Sequence, residues 1–284
     1  MNKPEKTMEM PGAVINKVAD RQDLTGITAL FPCQRGGSVP EQAVIAREVP
    51  VAISFDGTTH AVMMATPGDL EDFAIGFSLT EGLIHDVSEI ENLEIVSVPH
   101  GIDIQLALVP AQRDAFRIRR RYMAGPVGCG LCGIESIKAA LLPPPRFEGD
   151  FYLKAEEISN CIAELSRHQP LNDVTRCAHA TGFYIPGKGL VAVREDIGRH
   201  NALDKLIGAL LRCKQNFRKG IIAVTSRLSV ELVQKAAIAG VPLLAAVSAP
   251  TAKAVQIARE ANITLVARVR GDVFDIFTCP ERMR

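Results

Sequence analysis

The sequence predicts an α/β protein in which a small N-terminal α+β domain precedes a larger, three-layer α/β domain. Two observations indicate this class. An Asp56-Gly57 pair separates two apolar-rich runs, which is a strong signal for a β-hairpin. Strand and helix patterns then alternate from Ala155 to Val269, as expected of a sheet covered on both faces. We therefore predict a flexible tail over residues 1–40, the small domain over 41–122 and the larger domain over 123–284.

The small domain is predicted to contain two hairpins and one helix. The strands of the first hairpin are Val51–Phe55 and Thr58–Met64. The run Thr66-Pro67-Gly68-Asp69 then begins a helix with Thr66 as N-cap, because a threonine oxygen can accept a hydrogen bond from the first turn. The second hairpin pairs Leu93–Val98 with Ile102–Leu108. The tail before these elements has weak periodicity and predicts at most one short strand.

The larger domain is predicted to contain a mainly parallel sheet, because its strands alternate with helices. The predicted helices cover residues 155–167, 201–211, 230–239 and 251–260, and the predicted strands cover 181–185, 190–193, 221–225, 242–247 and 263–269. Ligands of such sheets bind outside the carboxyl ends of the strands. Here those ends are Thr225–Arg227, Val247–Pro250 and Val269–Asp272, where small, hydroxyl-bearing and cationic side chains are frequent.

Composition and charge narrow the function classes. The 284 residues carry 32 basic and 32 acidic side chains, so the net charge gives no reason to expect a nucleic-acid partner. The first residues lack the apolar core of a secretory signal, and no apolar run approaches the ~20 residues that span a bilayer. Seven cysteines, an odd number, then favour free thiols in a reducing compartment. We expect a cytoplasmic protein that binds neither nucleic acid nor membrane.

The pair Cys129 and Cys132 is the strongest chemical signal in the chain. The two thiols lie in a glycine frame, Gly128-Cys129-Gly130-Leu131-Cys132-Gly133, which runs into an apolar helix pattern. A helix start lowers the pKa of a thiol, and the flanking glycines leave the approach open. A structural zinc site would need a second pair of ligands, and the chain has no second CxxC. A thioredoxin-like redox pair and a persulfide carrier both remain open.

A second group of candidates surrounds the turn before the helix predicted at 201–211. Arg199, His200 and Asp204 belong to a dense polar run, and His179 follows Cys177 and Ala178. A histidine near reactive thiols can act as a base or stabilise a thiolate. We therefore predict that these four residues support a site that faces the thiols. The competing interpretation is a capped, solvated helix start and a structural histidine.

Several runs, taken in order, resemble one known family. They are Cys129–Gly133, Ala178–Ala180, Glu195-Asp196-Ile197-Gly198-Arg199-His200-Asn201-Ala202-Leu203-Asp204-Lys205, Ser226–Val233 and Ser248–Thr251. The chain is identified from them as similar to the FdhD family of formate dehydrogenase accessory sulfurtransferases, from about residue 42 to the C-terminus. It departs from the family pattern at Thr225-Ser226-Arg227 and at Ala267-Arg268.

The resemblance implies a specific activity. Family members take sulfur as a persulfide from a cysteine desulfurase and pass it to the molybdenum cofactor in its bis-guanine-dinucleotide form, before insertion into formate dehydrogenase. The larger domain would have a cytidine-deaminase-like fold, and the protein would form a homodimer. Cys129 would carry the persulfide, with Cys132 as the second catalytic thiol.

The resemblance also places the cofactor, which would be a bound substrate, near the C-terminus. Its predicted contacts are Arg268, Val269, Arg270, Gly271, Asp272 and Val273. Arg227, at another predicted strand end, joins them because a planar guanidinium suits phosphates. GDP should then bind as a fragment of the cofactor, and no resident metal is expected.

Two other functions are weighed against this one. A zinc deaminase needs His-x-Glu followed by Pro-Cys-x-x-Cys, but Thr181 stands where the glutamate should be and the CxxC precedes His179. A non-catalytic assembly chaperone would instead use the small domain and the basic stretch Arg117–Tyr122 as docking surfaces.

Overall fold

The computed structural model describes residues 26–35, 39–121 and 144–284. It confirms the mixed α/β class. The strands are β1 (Thr28–Arg35), β2 (Val39–Ala46), β3 (Val49–Phe55), β4 (Thr58–Ala65), β5 (Ile90–Val98), β6 (Gly101–Leu108), β7 (His179–Ile185), β8 (Gly189–Asp196), β9 (Ile221–Val224), β10 (Leu243–Ala246), β11 (Thr264–Arg270) and β12 (Val273–Ile276). The α-helices are α1 (Leu70–Thr80), α2 (Pro110–Arg121), α3 (Ala155–Arg167), α4 (Pro170–Thr175), α5 (Arg199–Arg212), α6 (Val230–Ala239) and α7 (Ala252–Glu260).

The first hairpin corrects the predicted extent of the N-terminal tail. Strand β1 pairs antiparallel with β2, from Thr28 opposite Ala46 to Arg35 opposite Val39. Part of the segment predicted as a tail over residues 1–40 is therefore an extended ribbon. At most one short strand was expected here, because the apolar side chains of this ribbon, among them Leu30 and Phe31, remain exposed and give little periodicity.

The second sheet has the order β4-β3-β6-β5 and confirms both predicted hairpins of the small domain. Strands β3 and β6 run parallel, while the two outer pairs are antiparallel. Asp56 and Gly57 both have positive φ, 47° and 76°, as a tight two-residue hairpin turn requires. Val51, Ile53 and Ile104 are fully buried on the inner face of this sheet.

The start of α1 differs from the prediction. The helix begins at Leu70 after Asp69, which has a left-handed backbone conformation and forms no side-chain cap. Thr66 is not the N-cap. Its Oγ1 instead accepts a hydrogen bond from Ile197 N at 3.2 Å, and its own N–H donates to Asp196 Oδ2 at 3.0 Å. Tertiary hydrogen bonds to the end of β8 have taken the place of the local cap.

The third sheet has the order β12-β11-β10-β9-β7-β8 and is mixed, which corrects the prediction of a mainly parallel sheet. The pairs β9–β10 and β10–β11 are parallel. The pairs β7–β8, β7–β9 and β11–β12 are antiparallel. Short turns around Gly187 and Gly271, both with positive φ, reverse the chain at the two outer hairpins.

Helices cover both faces of the third sheet. Ile221 and Ala223 of β9 belong to a hydrophobic cluster that contains α3 residues, whereas Ile222 and Val224 belong to a cluster that contains residues of α5, α6 and α7. This alternation gives the predicted three layers, because neighbouring residues of a strand point to opposite faces. The predicted boundary between residues 122 and 123 lies outside the described residues and stays a prediction.

Helices α1 and α5 cross in very close contact. A Cβ at Gly76 would lie 1.8 Å from Asp204 O, and a Cβ at Gly208 would lie 1.9 Å from Asp72 O. Only glycine allows the two backbones to approach this closely. All residues of α1 except Glu71 are buried, and the helix packs between the second sheet and α5, which covers one face of the third sheet. Among the described residues, no helix is long and apolar enough to cross a membrane.

Candidate functional site

The candidate site lies at one edge of the third sheet. The parallel strands β9, β10 and β11 end there, β7 begins there, and β8 ends there because His179 pairs with Asp196. Loops from different strands are joined at this edge. Thr251 N donates to Leu228 O at 3.0 Å, and Arg270 Nη1 donates to Val247 O at 2.6 Å. We call this the carboxyl edge.

The predicted catalytic thiols, Cys129 and Cys132, lie outside the described residues. Among the described cysteines, Cys33 and Cys177 are exposed and Cys161 is buried. Burial raises the pKa of Cys161 well above its ordinary value, and nearby glutamates add to the effect, so this thiol is poorly suited to react as a thiolate. Burial also raises the pKa of the partly exposed Cys279.

The structure brings His179, Arg199 and His200 together at the carboxyl edge. His179 is the first residue of β7, and Arg199 and His200 are the first two residues of α5. Burial and then the Arg199 charge lower the pKa of His179. Burial, followed by the Arg199 and Lys235 charges, lowers the pKa of His200 to about 4. Both imidazoles are therefore neutral at neutral pH and can accept a proton or a hydrogen bond.

Two side chains at the start of α6 face His200. Its Nε2 atom lies 3.5 Å from Ser229 Oγ and 3.8 Å from Glu231 Oε2. The Nε atom of Arg199 is buried and has no hydrogen-bond acceptor among the described residues. A cation and two neutral imidazoles thus lie beside the beginning of α6.

Asp204 occupies a different environment from the three residues just described. Its Oδ2 atom lies 2.9 Å from Lys235 Nζ, and its Oδ1 atom accepts a hydrogen bond from Thr80 Oγ1 at 2.8 Å. The side chain is turned into the interface between α1, α5 and α6, where 1% of the residue is exposed. The structure therefore places Asp204 in a buried ion pair and not with the partly exposed side chains of His179, Arg199 and His200.

The predicted cofactor-binding residues all lie at or next to the carboxyl edge. Arg227 follows β9 and is exposed, as are Arg270, Gly271, Asp272 and Val273 around the β11–β12 turn. Arg268 is exposed with a positive φ of 57°, and its Nε atom lies 2.5 Å from Asp275 Oδ2. Val269 has 2% of its surface exposed, so only its backbone can meet a ligand.

Sequence reasoning missed the residues that hold the edge in place. Asp196 and Lys205 are completely buried and form an ion pair at 2.7 Å. The carboxylate of Glu195 accepts hydrogen bonds from Leu171 N at 2.8 Å and Asn172 N at 2.9 Å, at the start of α4. Burial raises the pKa of Glu195 to about 7, although the two backbone hydrogen bonds oppose the shift. The sequence shows these residues only as part of a charged run.

The deaminase alternative would place a metal ion on His179, Cys129 and Cys132, and the two cysteines lie outside the described residues. In the described ranges no group of three or more His, Cys, Asp or Glu side chains could hold a metal ion. Thr181, at the position where a deaminase would need its glutamate, is 1% exposed within β7. Its side chain is therefore not available at the edge.

A comparison with known protein families matches the part of the chain that contains the candidate site. The sequence profile described as the FdhD/NarQ family matches residues 46–284. The chain belongs to this family. The match includes the segment with Cys129 and Cys132 and the whole carboxyl edge, while β1 and nearly all of β2 precede it.

Relatives within the family are similar over most of their length. The "Sulfur carrier protein FdhD" of Agrobacterium fabrum is 53% identical over 251 residues, which cover 88% of this chain and 93% of that protein. The protein of the same name from Brucella abortus biovar 1 is 56% identical over 236 residues, 83% of this chain and 88% of that protein.

A solved structure has the same fold. It is titled as a putative formate dehydrogenase accessory protein from Desulfotalea psychrophila and matches with a TM-score of 0.71 and 27% sequence identity. The alignment covers 91% of this chain and 100% of that chain. The fold of the family therefore extends over nearly the whole protein.

Proposed function

We propose that this chain is a sulfurtransferase that carries sulfur as a persulfide on Cys129. The sulfur comes from a cysteine desulfurase and goes to the molybdenum cofactor, in its bis-guanine-dinucleotide form, before that cofactor enters formate dehydrogenase. The observation that carries the proposal is the family match over residues 46–284, which spans both thiols and the carboxyl edge. The names of the relatives, sulfur carrier protein and formate dehydrogenase accessory protein, support it.

The chemistry of the first step is thiol exchange. The Cys129 thiolate attacks the outer sulfur of a persulfide on the desulfurase, and the desulfurase thiolate leaves with the electron pair of the broken S–S bond. The products are a Cys129 persulfide and a free desulfurase thiolate, so the step needs no oxidant or reductant. Cys132, three positions later in the sequence, would be the second catalytic thiol, which assists release of the sulfur.

The carboxyl edge supplies the groups that a guanine dinucleotide would need. Each arm of that substrate carries a pyrophosphate, which suits guanidinium groups and helix starts. Arg227 and Arg270 lie at this edge, as do the first residues of α5, α6 and α7. Neutral His179 and His200 add acceptors, while Arg199 adds a third cation. GDP is the fragment that tests this part of the proposal.

The proposal includes partners and location. A cysteine desulfurase and a formate dehydrogenase follow from the two ends of the sulfur transfer, and the working unit is a homodimer in the cytoplasm.

The deciding experiment is intact-protein mass spectrometry after incubation with a cysteine desulfurase and cysteine. The wild-type protein should gain one labile sulfur per chain, which a reducing thiol removes. The Cys129→Ala variant should gain none. Variants of Cys33, Cys161, Cys213 and Cys279 serve as matched controls and should load normally. A Cys129→Ala variant that still carries the sulfur would reject the assignment.

A further inference from the structure

The carboxylate of Asp196, at the carboxyl edge, accepts two hydrogen bonds on each of its oxygen atoms. The Oδ1 atom of Asp196 accepts from Gly198 N at 2.7 Å and from Asn201 Nδ2 at 3.0 Å. Its Oδ2 atom accepts from Thr66 N at 3.0 Å and from Lys205 Nζ at 2.7 Å. The side chain has no exposed surface. Asp196 itself therefore cannot touch a ligand.

These four donors converge on one short turn. Asp196 ends β8, and only Ile197 and Gly198 separate it from Arg199, where α5 begins. Gly198 is the N-cap residue and has no side chain to cap the helix. The turn is instead held by the Asp196 carboxylate and by the hydrogen bond from Ile197 N to Thr66 Oγ1. The direction in which α5 leaves the sheet depends on this carboxylate.

We infer that Asp196 is a positioning residue, which fixes Arg199 and His200 at the carboxyl edge by holding the turn that precedes them. This inference rests on the proposed function only in treating the edge as the ligand site. The geometric part is independent of that function. The Asp196 carboxylate accepts four hydrogen bonds and so fixes the turn, and the turn fixes the positions of Arg199 and His200.

A purely stabilising carboxylate is the alternative, and the chain contains a matched example. Asp72 of α1 is also buried, with 4% of the residue exposed. It pairs with Arg194 at 2.7 Å and Arg212 at 2.8 Å, and so ties α1 to β8 and α5. Its carboxylate bonds only to guanidinium groups and contacts no backbone group of the 197–198 turn in the described structure.

The test compares Asp196→Asn with Asp72→Asn and follows the titration of the His200 ring by NMR. The groups that face this ring are Arg199 of its own helix, Glu231 and Lys235 of α6, and His179 of β7. Release of the ring toward solvent should raise its pKa, toward the ordinary value of about 6.5. Simple loss of the Asp196 negative charge would move the pKa downward, so the sign separates repositioning from electrostatics.

We expect Asp196→Asn to raise the His200 pKa and to weaken GDP binding by about tenfold, the effect of one lost charge-assisted contact. Asp72→Asn should lower the urea midpoint about as much as Asp196→Asn does. It should leave the His200 pKa and the affinity for GDP unchanged. Equal effects of the two variants on His200, or a downward shift in Asp196→Asn, would overturn the inference.

A second variant protects the test against misfolding. In Gly198→Ala the new Cβ would lie 2.8 Å from Asn201 Nδ2 and 3.3 Å from Asp196 Oδ1, so it forces the Asn201 amide away from the Asp196 carboxylate and crowds that carboxylate without removing a buried charge. It should shift the His200 titration in the same direction as Asp196→Asn. If wild-type protein fails to bind GDP, the proposed site is wrong, whereas the His200 titration still accepts or rejects the positioning role.

Discussion

The ammonium group of Lys205 lies 2.7 Å from Asp196 Oδ2, and neither side chain exposes any surface to solvent. The same ammonium donates to Thr66 O at 2.9 Å. One cation within α5 thus bonds both the end of β8 and the loop that leads into α1. Transfer of such charges from water is costly, so the pair is stable only while both partners are present.

Replacement of Lys205 by methionine should therefore be severely destabilising. The variant keeps most of the side-chain volume but leaves the Asp196 carboxylate buried without its cation. We expect the free energy of unfolding to fall by ~3–5 kcal/mol in urea denaturation. Lys253→Met is the control, because Lys253 forms an exposed hydrogen bond to Gln256 and its loss should cost under ~0.5 kcal/mol. Equal losses would show that burial does not govern the effect.

The glycine contact between α1 and α5 predicts a second large effect. In Gly76→Ala the methyl group would meet the Asp204 carbonyl oxygen at 1.8 Å, and a backbone atom cannot rotate away. The helices must separate, so we expect a loss of ~3 kcal/mol or more of unfolding free energy, at the upper end of overpacking. Gly26→Ala has open space around its Cβ and should be close to neutral. A Gly76→Ala variant as stable as wild type would show that the contact is looser than described.

The sequence was informative about elements and less so about their pairing. Helices 155–167 and 230–239 were predicted with the bounds that the structure shows, because their apolar periodicity and flanking residues are local signals. The directions of the strands, by contrast, are not encoded by local sequence signals. The run from Ile221 to Val269 does form parallel strands, but β7, β8 and β12 reverse through tight turns, which alternation of elements does not reveal.

The candidate site shows the same division between features that local sequence predicts and features that depend on tertiary contacts. The strand-end rule located the carboxyl edge, since it depends only on where each strand stops. It could not distinguish Asp204, which turns into an ion pair with Lys235, from His200, which stays at the edge one helical turn earlier. It also gave no sign that Thr66 would bond to Asp196, 130 residues away, instead of capping its own helix. Such contacts depend on tertiary packing.

Glu195 predicts an unusual dependence of stability on pH. Burial raises the pKa of this carboxyl from 4.5 to about 7 in the folded protein. Between these values the folded state binds a proton that the unfolded state has released, so this group favours folding more as the pH falls from 7 to 4.5. The gain is at most roughly 3 kcal/mol, because each unit by which the pKa rises corresponds to about 1.4 kcal/mol.

The measurement compares urea unfolding of wild type and Glu195→Gln at several pH values. His200 acts in the opposite sense over this range, because its lowered pKa removes stability as the pH falls toward 4. Only the difference between the two proteins therefore reports on Glu195. Wild type should gain stability relative to the variant on acidification and keep a constant difference above pH 8. A difference that is flat from pH 4.5 to 7 would contradict the burial effect.

The last prediction concerns the ligand side of the carboxyl edge. Arg270 is already oriented, because its Nη1 atom donates to Val247 O at 2.6 Å and to Val269 O at 2.8 Å. Arg227 is exposed after the end of β9, which β10 separates from β11 in the sheet. A phosphate placed between two such guanidinium groups receives charge-assisted hydrogen bonds. Calorimetry should show that GDP binds to wild type, and thermal unfolding should show that GDP stabilises it by mass action.

Arg227→Ala and Arg270→Ala should each weaken GDP binding by ~1–3 kcal/mol, the scale of a hydrogen bond to a charged group. Neither should alter sulfur loading on Cys129, since the two steps use different residues. Arg218→Ala is the matched control: this arginine precedes β9, at the opposite edge of the sheet, where it lies 4.9 Å from the Phe147 ring. If Arg218→Ala weakens GDP binding as much as the other two, net charge and not the carboxyl edge attracts the nucleotide. An effect confined to Arg227 and Arg270 would place the pyrophosphate at this edge.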